Sequence, residues 1–127
     1  YLAASYLDLA WHSKNRKILD INKFEKKLFK SLNKPNEIDS RYGSTYFNHI
    51  FSGGYSSSYY SYMWSEVLDS SAFEVFEKKG LFHKSSGKKL KELVYSSGNS
   101  KNLMDQFIKF NGKKPDPKRL LQKRGLA

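Results

Sequence analysis

Asp20 to Asn33 reads DINKFEKKLFKSLN. Ile21, Phe24, Leu28 and Leu32 stand at i, i+3, i+7 and i+11, the spacing that lines one face of a helix. Phe29 widens that face and lysines fill the opposite one. Asp20 is a residue type that caps a helix N-terminus, and Pro35 cannot continue a helix. The segment is therefore expected to be an amphipathic surface helix without chemistry of its own. The same period recurs along the chain and strand alternation persists nowhere, so the fold class is all-α, with five or six helices in one helical piece over residues 1–127.

Working outward, Tyr1 to Ser13 is apolar over most of its circumference, which predicts a buried helix. Tyr59 to Lys79 reads as the longest helix, ended by Gly80. Ser71 and Glu74 have capping-box spacing that permits a fresh start near Asp69 and Ser70. Ser85 or Ser86 opens a further helix that runs to just before Gly98. Ser100 is expected to cap the next, with Leu103, Met104, Phe107, Ile108 and Phe110 apolar and Gly112 as its stop. Asp116 followed by Pro117 is an N-cap with proline at the first helical position. Asn36 to Ser58 is expected to be a long irregular connection, a length usually tied to function or disorder.

Arg41 to Glu66, RYGSTYFNHIFSGGYSSSYYSYMWSE, is unlike the rest. It holds six of the nine tyrosines and one of three histidines, and no Lys or Arg occurs from Tyr42 to Glu77. An aromatic, hydroxyl-rich, cation-free segment in a basic chain has the composition of a cavity lining. Gly53 and Gly54 allow positive φ and close backbone approach. Tyr55 falls in the glycine-rich loop and Tyr62 on the first turns of the helix, so two phenols can converge from different supports. A phenol remains protonated at neutral pH and donates a hydrogen bond, which is what a developing oxyanion requires. Tyrosines at helical spacing are more often half-buried packing residues, so periodicity alone does not carry a catalytic role.

The string RYGSTYFNHIFSGGYSSSYYSYMWSEVL closely resembles a segment of the thimet oligopeptidase and peptidyl-dipeptidase family of zinc metallopeptidases. Its His-Ile-Phe version is similar to the bacterial peptidyl-dipeptidase and oligopeptidase A branches. YLAASYLDLAWHS at the start and GNSKNLMDQFIKFNGKKPDPKRLLQKRGL at the end resemble the same family, so the likeness covers essentially the whole chain. It implies hydrolysis of short peptides. Tyr62 takes the position of the family tyrosine that hydrogen-bonds the oxyanion, and Tyr55 that of the loop tyrosine assisting the same step. His49 resembles the histidine that contacts substrate or intermediate, and Gly53 and Gly54 the hinge glycines of a closing loop. Tyr59 and Arg41 are weaker substrate-contact candidates. Arg41 suits a peptide C-terminal carboxylate, with a structural ion pair as its ordinary alternative.

The family binds zinc through His-Glu-x-x-His and a downstream glutamate, the motif's own glutamate acting as general base. Here His12 is followed by Ser, His49 by Ile and His83 by Lys. No two histidines have the four-residue spacing, and Glu66 is not at the position of the family ligand. The resemblance thus implies a C-terminal piece of a larger, mostly helical zinc enzyme. Its metal ligands would lie upstream of Tyr1, its main partner would be the remaining N-terminal part, and the piece alone would be inactive. The missing initiator Met and signal segment agree with that expectation. An isolated piece of this kind is open to self-association.

The formal net charge is +11, from 23 Lys and Arg against 12 Asp and Glu. A basic nucleic-acid-binding domain is one alternative, and a non-catalytic helical peptide- or protein-binding module is another. Only four of the cations are arginine, whereas bidentate phosphate and base readers favour Arg. The lysines cluster on polar helix faces, so no nucleic-acid partner is expected. No run approaches the roughly 20 apolar residues that span a bilayer, so no membrane role is expected. Absence of cysteine fits a cytoplasmic enzyme.

Overall fold

Helices account for the regular structure of the chain, as the apolar periods require. The computed structural model describes residues 1–13 and 17–127. In order they form α1 (Leu2–His12), α2 (Ile21–Ser31), a 3-10 turn (Ser44–Tyr46), α3 (Asn48–Phe51), α4 (Ser61–Lys79), α5 (Lys84–Leu90) continued by a π turn (Lys91–Tyr95), α6 (Leu103–Asn111) and α7 (Pro117–Lys123). Among the described residues there is no strand, and the class is all-α as expected. The chain divides into two compact units, Tyr1–Met63 and Trp64–Ala127.

The first unit is built around Ala4, Leu7, Phe47, Ile50 and Tyr59, all buried, with Trp11, Phe24, Leu28, Phe29, Tyr42 and Tyr62 packed against them. α2 turns its predicted stripe inward through Phe24 and Leu28, and the Asp20 carboxylate accepts from Lys23 N–H at 2.9 Å. The helix stops before Pro35. Asn33 takes φ 50°, and Lys34 N–H returns to Phe29 C=O at 3.0 Å, a left-handed C-terminal wrap. Ser44 ties the connection to both helices: its N–H donates to Glu25 Oε1 at 2.5 Å, and Trp11 Nε1–H donates to its Oγ at 2.7 Å.

α1 departs from expectation. It buries Ala4, Ser5, Leu7 and Asp8, while Leu2, Tyr6 and Leu9 stay exposed. One face is packed instead of the whole circumference, because its described neighbours lie on one side. The connection from Asn36 to Ser58 is also less irregular than its sequence suggests, since it holds the 3-10 turn and α3. Elements of three or four residues are too short to display a period.

In the second unit Val67, Phe107 and Phe110 are buried, and Phe76 lies 6.2 Å from Phe110 between ring centroids. α4 runs without the break that the Ser71–Glu74 spacing permits near Ser70. Ser71 points into the unit and its Oγ accepts from Asp116 N–H at 3.2 Å, so burial prevails over capping. Gly80 ends the helix at φ 104°. Two caps differ from the sequence reading. His83 Nδ1, not a serine hydroxyl, accepts from Ser86 N–H at the start of α5, and Asn102, not Ser100, caps α6 through Asp105 N–H at 3.0 Å. Asp116 caps α7 as predicted, accepting from Lys118 N–H at 2.9 Å.

An apolar cleft of about 630 Å³ opens in this unit, lined by Trp64, Leu68, Phe73, Phe76, Leu103 and Phe107 among others. Trp64 is 42% exposed there. Glu66, on the same helix, is engaged by Arg124.

Candidate active site

The cation-free segment is anchored by Phe47 and Ile50, both fully buried against the α1 side chains. Beyond Ile50 the chain must reverse within a few residues, and the glycine pair permits it. A Cβ on Gly53 would lie 2.8 Å from His49 Cα and 3.0 Å from His49 O, and Gly54 has φ 80°. In that wrap Ser52 and Gly53 N–H both donate to Asn48 C=O at 2.9 Å, and Tyr55 N–H donates to His49 C=O at 3.0 Å. Tyr55 is thereby returned over His49, with ring centroids 6.2 Å apart.

Tyr55 then meets Tyr62 from the first turn of α4. Their rings stack at 5.2 Å with planes 16° apart. Tyr59, three residues earlier in the turn before α4, is buried and lies 5.0 Å from Tyr62. Interaction with the adjacent Tyr55 hydroxyl, followed by burial and the nearby phenols, raises the Tyr62 pKa above its ordinary value. Burial, followed by Tyr42, pushes Tyr59 up to about 12. Both side chains are thus held as neutral O–H groups.

His49 sits among the rings, 5.1 Å from Tyr42, 5.8 Å from Tyr59 and 6.2 Å from Tyr55. Tyr42 stacks on Phe47 at 4.6 Å with planes 10° apart. Arg41 lies exposed beside this array, its guanidinium carbon 5.1 Å from the Tyr1 ring and 5.6 Å from the Tyr42 ring. Among the described residues it makes no ion pair with a carboxylate. Its cationic face is held by aromatic contact.

Tyr62, Tyr55, Tyr59 and His49 therefore come together, with Arg41 alongside, while Gly53 and Gly54 serve through backbone geometry. Sequence reading missed Tyr1 and Asp8. Tyr1 adds a ring 6.4 Å from Tyr59 and 6.2 Å from Tyr62. Asp8 is completely buried: its Oδ1 accepts from Ser57 N–H and its Oδ2 from Tyr59 N–H, each at 2.9 Å. His12 Nδ1 lies 2.8 Å from Asp8 Oδ1. The available signal was an acid between Leu7 and Leu9, since a buried charge must find partners.

Among the described residues no three His, Cys, Asp or Glu side chains gather to hold a metal ion. His12 is turned to Asp8, His83 caps α5 and Glu66 meets Arg124. These residues do not form a zinc site. The tyrosine cluster offers phenolic donors side by side, an adjacent imidazole and a guanidinium, a set suited to receiving negative charge.

A family model described as Peptidase family M3 matches residues 1–126. The chain is 35% identical over 129 residues to the dipeptidyl carboxypeptidase of Escherichia coli K12, covering 98% of this chain and 19% of that protein. It is 40% identical over 80 residues to E. coli oligopeptidase A, covering 63% of this chain and 12% of that protein. A thimet-like oligopeptidase of Dictyostelium discoideum is 36% identical over 92 residues, covering 72% and 13%. The chain belongs to Peptidase family M3. It spans a fifth or less of the length of these curated relatives.

Proposed function

We propose that this chain supplies the oxyanion-stabilising and substrate-contacting side chains of a zinc-dependent peptidase acting on short peptides. The metal ligands of that enzyme belong to a part of the protein outside these 127 residues, and the piece alone is inactive. The observation that carries the reading is the stacked pair Tyr55 and Tyr62, brought together at 5.2 Å from a loop and a helix and kept protonated. Packing alone does not require two phenols to stack on each other beside a histidine. A tetrahedral intermediate with its oxygen facing this pair receives two O–H donors that need no reorganisation as charge develops.

His49, whose ring lies 6.2 Å from that of Tyr55, is assigned to contact the same intermediate or the substrate backbone. Tyr59 is deeper, and its contribution is to support the donors. Arg41, without a carboxylate partner among the described residues, is suited to a peptide C-terminal carboxylate. Gly53 and Gly54 let the loop close over substrate. Among the described residues no helix is long and apolar enough to cross a membrane. The parent enzyme is read as cytoplasmic, with a short peptide and the rest of its own polypeptide as partners.

The test is peptide hydrolysis with zinc by this chain alone and by the same chain joined to its upstream segment. Activity only in the joined protein supports the reading. Cleavage by the 127 residues alone overturns it.

A further inference from the structure

Resting on that reading, we infer that Asp8 is a positioning residue for the two phenols, acting through the backbone of the loop that joins them. Tyr55 and Tyr62 are held at their outer ends by the His49 carbonyl and by α4. The stretch between them, Ser56 to Tyr60, lies outside the helices. Ser57 has φ 55°, a conformation that costs a non-glycine residue free energy unless its surroundings fix it. What fixes it is Asp8. One carboxylate oxygen accepts the Ser57 N–H and the other the Tyr59 N–H, so the side chain closes over the strained residue from both sides.

The carboxylate suits this task in three respects. It is fully buried, so its two bonds to N–H groups are charge-assisted and shielded from water. It projects from α1, whose neighbouring Ala4 and Leu7 are themselves in the core, so its base is fixed. His12, one helical turn on, faces Oδ1 at 2.8 Å and completes its polar surroundings. Tyr59 is three residues before Tyr62, in the turn that leads into α4, and Tyr55 is two residues before Ser57. A shift of the Ser57–Tyr59 backbone therefore alters the spacing of both donors. Misplacement of a reacting group by about 1 Å costs on the order of 10²-fold in rate.

The experiment uses the full-length protein carrying this chain, with Asp8→Asn, Asp8→Ala, Tyr55→Phe/Tyr62→Phe and the combination of Asp8→Asn with both phenylalanine changes. The asparagine is isosteric, yet it presents an NH₂ to one of the two backbone donors. Expected is a fall in kcat of about tenfold or more for Asp8→Asn with little change in KM, and a larger fall for Asp8→Ala if it folds. On the double-phenylalanine background Asp8→Asn should add less than about twofold, because it acts through groups already removed. Full additivity, an effect confined to KM, or unchanged kcat overturns the inference.

Amide hydrogen exchange separates the two readings. Faster exchange at Ser57 and Tyr59 in Asp8→Asn shows that the carboxylate holds the loop, whether or not the phenols act in catalysis. Unchanged exchange at both amides sinks the positioning role even if activity falls. If the double-phenylalanine enzyme keeps its kcat, the proposed function fails, and the positioning role for catalysis fails with it.

Discussion

Tyr55 and Tyr62, seven residues apart and on different supports, stack with centroids 5.2 Å apart and planes 16° apart. Two helical turns within one continuous helix would set such residues about 10 Å apart along the axis. The stacking depends on a fold-back. Gly53 and Gly54 reverse the chain after α3, Tyr55 is bonded to the His49 carbonyl, and the turn through Ser57 and Tyr59 leads into α4.

For Tyr62 the expected outcome of substitution by phenylalanine is a loss in turnover. Removing one oxyanion donor costs on the order of 10²–10³ in kcat, about 3–4 kcal/mol. Steady-state kinetics of the full-length enzyme on a short peptide should show kcat falling more than KM rises. An unchanged kcat removes Tyr62 from catalysis.

Gly53 and Gly54 should respond to alanine for different reasons. At Gly53 the new methyl meets His49 Cα at 2.8 Å, a backbone contact that cannot rotate away, and the cost is about 1–3 kcal/mol of overpacking. At Gly54 no atom lies within 4 Å, and the cost comes from φ 80° alone, about 1–2 kcal/mol. Urea midpoints of the two variants measure this, and Gly53→Ala should also displace Tyr55. Equal activity with and without the Gly53 methyl contradicts the tight wrap.

Stability should decline in strong alkali through Tyr59. Its folded-state pKa is raised from 10.0 to about 12, so the folded chain retains the phenolic proton after the unfolded chain has released it. The contribution is fully present below pH 10 and is lost as pH rises from about 10 to about 12. Denaturant titrations across that range should show the decline, and Tyr59→Phe should flatten it. A decline of equal slope in the phenylalanine variant assigns it elsewhere.

Arg41 separates recognition from folding. It has no carboxylate partner among the described residues, so Arg41→Gln should leave stability within about 0.5 kcal/mol. If the guanidinium receives a peptide C-terminus, KM should rise roughly 10- to 10²-fold, the equivalent of about 1.5–3 kcal/mol for a charge-assisted bond. C-terminally amidated peptides should be insensitive to the change. Equal sensitivity of free and amidated peptides rules out carboxylate recognition.

The all-α class was legible because apolar residues recur at helical spacing in α2, α4 and α6, because the Asp20 and Asp116 carboxylates cap helix starts, and because Gly80 and Gly112 end helices at positive φ. The tyrosine pair was legible from the Gly-Gly pair and the family likeness. Less visible were ends decided by packing. Ser71 offers a cap but is drawn inside, and His83 caps through a ring nitrogen where serines stand close by. Asp8 was out of reach, because its partner amides are 49 and 51 residues away. An isolated acid in an apolar helix announces that it needs partners without naming them.

The two indoles are distributed one to each compact unit. Trp11 packs against Phe24 at 4.7 Å with its N–H bonded to Ser44, whereas Trp64 is 42% exposed at the apolar cleft. Their emission should differ accordingly, shorter in wavelength for the shielded ring and longer for the wetted one. Each unit thus carries its own optical reporter: replacing either indole by phenylalanine leaves a fluorescence trace that reads from the other position.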